Sequence, residues 1–244
     1  MTALDLIGVE GLPEVRVGDD LARLIAGHSS LQDGDVLVVA QKIVSKSEGR
    51  LVELDSVTAG DEAQRIAPRL IAAPDPRMVQ VVLDESVRVV RSDRVLITET
   101  RHGFVSANSA VDHSNVGAGT LSLLPLDPDA SARRIQNGLQ ELTGANVGVI
   151  VSDTFGRPWR LGIVNVALGI AGLPAVIDLR GTLDDAQQPL HATVIAVADE
   201  IAASAGLVMG KTARTPVVIV RGLKLSGSGS GRDLIRPANE DLFR

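Results

Sequence analysis

Apolar residues along the chain fall either into uninterrupted runs or into spaced faces, and the two patterns predict different elements. Val36 to Ala40 and Val147-Gly148-Val149-Ile150-Val151 show no polar alternation and predict strands buried on both sides. Arg94 to Thr100 and Thr215 to Val220 read as two further strands. Spaced faces mark the helices. Asp19 or Asp20 caps a short one with Leu21, Leu24 and Ile25 on its apolar side. Residues 60 to 91 read as two helices, the second opened by Asp75-Pro76 and carrying Val79, Val82, Leu83 and Val87. Asp127-Pro128-Asp129 repeats that start for a helix through Ile135, Leu139 and Leu142, ended by Gly144. Ile163 to Ile170 reads as a packed helix, and Val194 to Leu207 as another with Asp199-Glu200 in its middle. A strand-helix-strand order of this kind predicts an α/β (mixed α+β) fold: a mixed sheet with flanking helices. No repeat and no linker interrupts residues 1 to 244, so a single domain is expected.

Between these elements lie segments of a different character. Gly11-Leu12-Pro13-Glu14-Val15 reads as a loop, and Asp178 to Asp185 as a charged one. Gly227-Ser228-Gly229-Ser230-Gly231 reads as a flexible segment. Arg101 to Gly117 is rich in small polar residues and longer than an ordinary connection, which favours function over scaffolding. It carries Asp112 and Asn115, a carboxylate and an amide, beside His113.

Composition narrows the chemistry. Of 244 residues 45% are hydrophobic but only 2% aromatic, so the core is built from Val, Leu, Ile and Ala. The net charge of -6 argues against a nucleic-acid binder, which would show a basic face. Without cysteine there is no disulfide, thiolate nucleophile, thiolate zinc site or iron-sulfur cluster. Met1 to Asp5 lacks the basic start of a signal peptide, and no apolar run reaches the ~18 residues of a membrane helix. A cytoplasmic protein without a membrane partner is expected.

Three places can carry chemistry. The run ending at Val151 stops at Ser152-Asp153-Thr154, where the chain is expected to leave the sheet, and Gly156 permits a tight turn. An Asp-Thr pair there offers oxygen ligands to Mg2+ or Mn2+, and Arg157 and Arg160 suit a phosphate or carboxylate. The alternative is an Asp capping a turn beside two solvated arginines. Gln41 to Arg50, with Lys42 and Lys46, is either a phosphate-facing edge or an ordinary exposed strand end. Gly206-Leu207-Val208-Met209-Gly210-Lys211-Thr212 imitates a phosphate loop, but three residues separate its glycines where four are needed. A helix precedes it and a strand follows, the reverse of the required order, so neither a P-loop nor a Rossmann fold is expected.

The motifs in sequence order resemble one family. Gly11-Leu12-Pro13, Val44-Ser45-Lys46 with Glu48-Gly49-Arg50, Val111-Asp112 with Ser114-Asn115-Val116, Leu124-Pro125 with Asp127-Pro128-Asp129, Asp153-Thr154 with Gly156-Arg157, Ala198 to Ala203, and Val220-Arg221-Gly222 together resemble the coenzyme F-420 gamma-glutamyl ligases. The likeness spans nearly the whole chain. It implies a homodimer with a family-specific fold and a GTP-dependent ligase that adds L-glutamate to the deazaflavin coenzyme F-420-0. It also implies two sites for Mg2+ or Mn2+, with K+ as a further candidate ion. By resemblance, Leu12, Pro13, Glu14, Val15, Gln41, Lys46 and Asn115 would line the GTP site, with Met209, Gly210 and Lys211 on a loop that approaches it. Asp112 and Asp153 would hold one metal and Thr154 a second, while Asp153, Arg157 and Lys46 would be the catalytic set. Some relatives carry Glu where this chain has Lys211, so a cation there would neutralise phosphate charge instead of binding metal. Others continue into a flavin-binding domain; ending at Arg244, the chain is expected to be the stand-alone form.

The implied chemistry activates a carboxylate as an acyl phosphate, which the amine of glutamate then attacks. Such transfer needs positioning and charge neutralisation more than a nucleophilic side chain. The rival expectations are a metal-dependent phosphohydrolase using the same aspartates and a non-enzymatic nucleotide-binding module.

Overall fold

The computed structural model describes residues 3–113, 117–210 and 213–241. Its centre is a mixed sheet of five strands: β1 (Asp5–Gly8), β2 (Val36–Ala40), β8 (Gly148–Arg157), β9 (Arg160–Ala171) and β12 (Val217–Arg221), in the order β1-β12-β2-β8-β9. Within it β2 and β8 run parallel and the remaining neighbours antiparallel. The uninterrupted apolar runs are explained by layers on both faces. Val39, Val149, Val151 and Ile219 pack under α1 (Leu21–His28) and α5 (Pro128–Thr143). Val38, Ile150, Val218 and Val220 point the other way, onto Ala198, Ile201, Ala202 and Ala205 of α6 (Val197–Met209). The expected mixed sheet with flanking helices is the one observed.

The helix starts are set by their caps. Asp20, Asp75 and Asp127 each accept a backbone N–H from the first turn of α1, α4 (Pro76–Asp84) and α5. Pro76 and Pro128 fill the following position, where no N–H is needed. Gly144 closes α5 at φ 76°, a conformation costly for any residue with a Cβ.

Several expectations are corrected. Ile163 to Ile170 is strand, not helix, because β9 folds back on β8 in register from Arg160 to Ala171. A short apolar run suits either element, and pairing decided it. Ser152 to Thr154 does not leave the sheet; β8 continues to Arg157, and the turn comes at Pro158-Trp159, with Trp159 at φ 58°. Gln41–Ser47 is a helix, α2, directly after β2. The helix expected to reach residue 91 ends at Asp84, and Val87 lies on the following strand, β4 (Ser86–Asp93), 62% exposed. Asp199 and Glu200 stand in the first turn of α6, not its middle. The glycine-rich run is packed: a Cβ at Gly231 would lie 2.0 Å from the Leu168 carbonyl oxygen, and one at Gly229 2.4 Å from the Ala175 nitrogen.

The rest of the chain builds a second region. A sheet in the order β4-β5-β6, with β5 (Val95–Thr100) and β6 (Val105–Ala107), shares a small core with α3 (Asp61–Ile66) and α4. The long polar segment therefore contains a strand, followed by a 3-10 turn at Asn108–Ala110. β3 (Leu51–Glu53) pairs with β7 (Thr120–Ser122), and β10 (Ile177–Asp178) with β11 (Val194–Ile195).

Candidate active site

The site grows from the ends of the one parallel pair in the central sheet. Ala40 and Ser152 are opposite each other on strands ~4.8 Å apart, with Gln41 next after the one and Asp153 next after the other. β2 turns at once into α2, and Gln41 locks that turn. Its Nε2 donates to Ser45 Oγ at 2.7 Å and to the Leu123 carbonyl at 3.1 Å. One residue on, Lys42 Nζ donates to Asp112 Oδ2 at 2.8 Å. Asp112 is itself held by backbone hydrogen bonds in both directions with Ser122, at 3.1 and 2.8 Å. The polar segment read as functional thus delivers its carboxylate to the first turn of α2.

Lys46 lies one turn further along the same helix face. Its ammonium pairs with Glu14, and both line a cleft of about 500 Å³ with Val15, Glu53 and Thr120. Thr120 Oγ1 donates to Glu53 at 2.9 Å across its floor. Of the other residues expected at a nucleotide, Leu12 is half buried against the main core and Pro13 is exposed. Gln41 is buried and faces Leu123. Asn115 and Lys211 lie outside the described residues.

On β8, Asp153 Oδ1 accepts the backbone N–H of Thr154 at 2.7 Å. Thr154 faces Asn165 across the hairpin, and Asn165 Nδ2 lies 3.4 Å from both Ser152 Oγ and Met209 Sδ. The end of α6, Met209 and Gly210, is thereby set beside the strand that carries Asp153 and Thr154. Arg157 is elsewhere, near the hairpin tip, where its guanidinium donates to the Leu161 carbonyl at 2.9 Å. Neither it nor the exposed Arg160 lines the Lys46 cleft. His113 is exposed. Among the described residues no group of three or more His, Asp and Glu side chains is arranged to hold a metal ion.

Two features were missed by reasoning from sequence. Lys42, read from sequence only as a possible phosphate-edge lysine, pairs with Asp112, and its spacing of four from Lys46 is the signal that a helix at 41–47 would have exposed. Asp199, on the α6 face of the sheet, accepts the Ala167 N–H at 2.8 Å, and burial pushes its carboxyl above the usual range despite that bond. By contrast, the buried Asp35 is neutralised by Arg221 through two hydrogen bonds of 2.8 Å, which raises the Arg221 pKa. That pair fastens β12 to the turn before β2 and is structural.

The sequence profile of the family described as "F420-0:Gamma-glutamyl ligase" matches residues 11–222, from the loop at the cleft to the glycine after β12. The chain belongs to this family. It is 45% identical over 251 residues to the "Coenzyme F420:L-glutamate ligase" of Methanothermobacter thermautotrophicus, covering 99% of both chains. The protein of that name from Methanocaldococcus jannaschii is 44% identical over 246 residues, covering 99% of this chain and 97% of its own. The one from Methanopyrus kandleri is 44% identical, with both chains covered completely. The matched family segment contains every element of the Lys42–Asp112 and Lys46–Glu14 arrangement. No helix among the described residues is long and apolar enough to cross a membrane.

Proposed function

We propose that this gamma-glutamyl ligase family member joins L-glutamate to coenzyme F-420-0 in the cytoplasm, using GTP to activate the coenzyme carboxylate and extending the product by gamma-linked glutamates. The observation that carries this reading is the α2 face, where Lys46 lines a cleft of about 500 Å³ and Lys42, one turn back, holds Asp112. An ammonium group in a cleft of that size, paired among the described residues only with the exposed Glu14, suits a phosphate that can take the place of the carboxylate.

A carboxylate oxygen of the coenzyme forms a bond to the gamma-phosphorus as the bond to GDP breaks. The glutamate nitrogen, having released one proton, then attacks the acyl carbon. The carbon–oxygen bond to phosphate breaks and the nitrogen loses its second proton to solvent. Lys46 would neutralise charge on the phosphates, helped by the Met209–Gly210 end of α6. Leu12 to Val15 would wall the nucleotide. Arg157, at the hairpin tip, would reach an anion only at a surface beyond the Lys46 cleft.

A divalent cation fits the donor set. With carboxylates from Asp112 and Asp153 and a hydroxyl from Thr154, the chain supplies few ligands, which suits Mg2+ or Mn2+. Mg2+ characteristically keeps waters and binds one or two carboxylates plus substrate phosphates. When bound, it would screen the triphosphate and withdraw charge from the reacting phosphorus. K+ would be a further ion at the phosphates.

The family resemblance also suggests a homodimer. The hairpin tip supports this, since Trp159 and Leu161 are 81% and 97% exposed. A surface of that kind is commonly covered by a partner, and light scattering on the purified protein tests it. The test of the activity is incubation with GTP, Mn2+ or Mg2+, L-glutamate and coenzyme F-420-0. The expected product has the mass of one or more added glutamates, with GDP and phosphate released in step. Phosphate release that ignores both glutamate and coenzyme would establish the phosphohydrolase instead. GTP binding without turnover would leave a nucleotide-binding module.

A further inference from the structure

A second cavity, of about 310 Å³, lies apart from the Lys46 cleft. Phe104 and Leu168 give it apolar surface, and His102, Asp127, Asp129, Arg133 and Arg232 are among its polar lining. Both cavities border one chain segment. Thr120 lines the Lys46 cleft and Leu126 lines this one, so the two stand at most ~20 Å apart along the chain. Between them the segment passes Asp112, paired at Ser122, and then Leu124, which packs on Phe104 and Leu168.

The same cavity touches the strand of Asp153. Phe104 meets Phe155 edge-on at 6.4 Å, and Phe155 is two residues beyond Asp153, on the same face of β8. Leu168 is the extra residue of a bulge: Val151 faces Gly169 while Ser152 faces Ala167. Bulges re-aim neighbouring side chains. This one turns Leu168 into the cavity lining directly before the pair that precedes Asp153.

The lining has a definite chemistry. Arg232 has no ion pair among the described residues, and Arg133 reaches only Asp127, at 3.9 Å. Asp127 Oδ1 is occupied by the Ala130 N–H, and Asp129 Oδ1 by those of Ile170 and Gly231. His102 is oriented by its Nε2–H, which donates to the Leu126 carbonyl at 3.1 Å, and its ring stacks on Phe104 at 6.0 Å. With Asp129 committed to two backbone N–H groups, two guanidiniums and the Asp127 carboxylate match two negative groups and one positive group on a single small molecule. A bare phosphate would gain from the arginines but has no positive group to offer Asp127.

We propose that this cavity is the subsite for the incoming dicarboxylic amino acid, with Arg133 and Arg232 holding its two carboxylates and Asp127 attracting its ammonium group. The assignment rests on the ligase reading above and adds where glutamate enters: across the Lys42–Asp112 pair from the nucleotide cleft.

The test is steady-state kinetics of Arg133→Gln and Arg232→Gln with each substrate varied in turn, with circular dichroism confirming the fold. Each variant should raise the KM for glutamate roughly ten-fold or more, the size of one lost charge-assisted contact, and leave the KM values for GTP and coenzyme within about two-fold. Discrimination between glutamate and glutamine should shrink in at least one variant. An unchanged glutamate KM, or a rise for the coenzyme or GTP instead, overturns the subsite. Should the wild-type protein not ligate, the ligase reading fails separately. Glutamate binding to the wild-type protein, followed by saturation-transfer NMR with a non-hydrolysable GTP analogue present, then decides. Binding that Arg232→Gln abolishes upholds the subsite, and binding that is absent or insensitive to the substitution rejects it.

Discussion

Lys42 and Asp112, seventy positions apart in the chain, meet at 2.8 Å between Nζ and Oδ2. The pair is one-fifth exposed on the lysine side and two-fifths on the aspartate side, 20% and 41%. A cation binding to Asp112 must therefore compete with an ammonium group, and a triphosphate arriving with its metal offers Lys42 a new partner. Lys42→Met should tighten Mn2+ binding in the absence of nucleotide by roughly five-fold, the equivalent of about 1 kcal/mol for a partly exposed ion pair. Electron paramagnetic resonance titration of free Mn2+ measures this. Unchanged or weaker binding would remove Asp112 from the metal set.

The Lys46–Glu14 pair sets up a similar exchange at the nucleotide cleft. Lys46 is largely covered, at 11% exposure, whereas Glu14 is 65% exposed. Lys46→Ala should weaken GTP binding by roughly 1.5–3 kcal/mol, as expected for one charged contact. Glu14→Gln should act in the opposite direction, because it frees the ammonium and removes a negative charge from the cleft. Calorimetric titration with GTP reads both. Equal, small effects in the two variants would make the pair a surface ion pair and nothing more.

Gly169 fixes how α5 lies on β9. A Cβ there would stand 2.2 Å from the carbonyl carbon and oxygen of Pro128 and 2.7 Å from the Asp129 nitrogen. These are backbone atoms, which cannot rotate away. Gly169→Ala should destabilise the fold by about 1–3 kcal/mol or more, the cost of overpacking a close approach. Thermal unfolding followed by circular dichroism tests it, and a wild-type melting temperature would mean that α5 can slide on the sheet.

Asp199 gives the stability a pH dependence of known sign. Burial raises its folded-state pKa above 3.8, so between the unfolded and the raised native value the native state binds more proton than the unfolded chain. Its contribution to stability is present below the unfolded value and is lost as pH rises through the raised native value. The first turn of a helix normally favours an acid by ~0.3–1 kcal/mol, but here burial outweighs it. Asn can still accept the Ala167 N–H, so Asp199→Asn should melt higher than wild type at neutral pH. The two melting curves should converge below about pH 3.8. A neutral-pH melting temperature below wild type would show that the charge is stabilising.

What was legible in the sequence depended on how local its cause was. Asp20, Asp75 and Asp127 announced their helices because a cap is a contact within one turn. Val36–Ala40 was clear because a parallel strand covered on both faces has no polar alternation. Ile163 to Ile170 was misread because its state is decided by β8, the strand it pairs with. Gln41–Ser47 reads from sequence as a strand end or a phosphate-facing edge for a related reason: its polar side chains, Gln41 toward Leu123 and Lys42 toward Asp112, are satisfied by residues more than sixty positions away. The family resemblance brought Asp112, Asp153 and Lys46 forward. The pairing of Lys42 with Asp112, the place of Asn165, and the cavity at Arg133 and Arg232 depend on distant segments being brought together.

The remaining prediction concerns Asp153. Its Oδ1 accepts the Thr154 N–H at 2.7 Å, a bond that an asparagine oxygen can also accept. Asp153→Asn therefore changes the charge while keeping the size and that hydrogen bond. If Asp153 and Asp112 serve one divalent cation, Asp153→Asn should abolish ligation while costing less than about 1 kcal/mol of stability. Asp112→Asn should do the same, and the double variant should be little worse, because ligands of one site act as a unit. Thr154→Val deletes only a hydroxyl and tests the second metal; the Thr154 N–H that bonds Asp153 stays in place. The competing account makes Asp153 a local backbone clasp. On that account Asp153→Asn would leave turnover intact, since the clasp survives the substitution. Glutamate addition by mass spectrometry, paired with Mn2+ titration of the same samples, separates the two. Near-normal turnover with an unaltered Mn2+ isotherm in Asp153→Asn would rule out a metal at the end of the parallel pair.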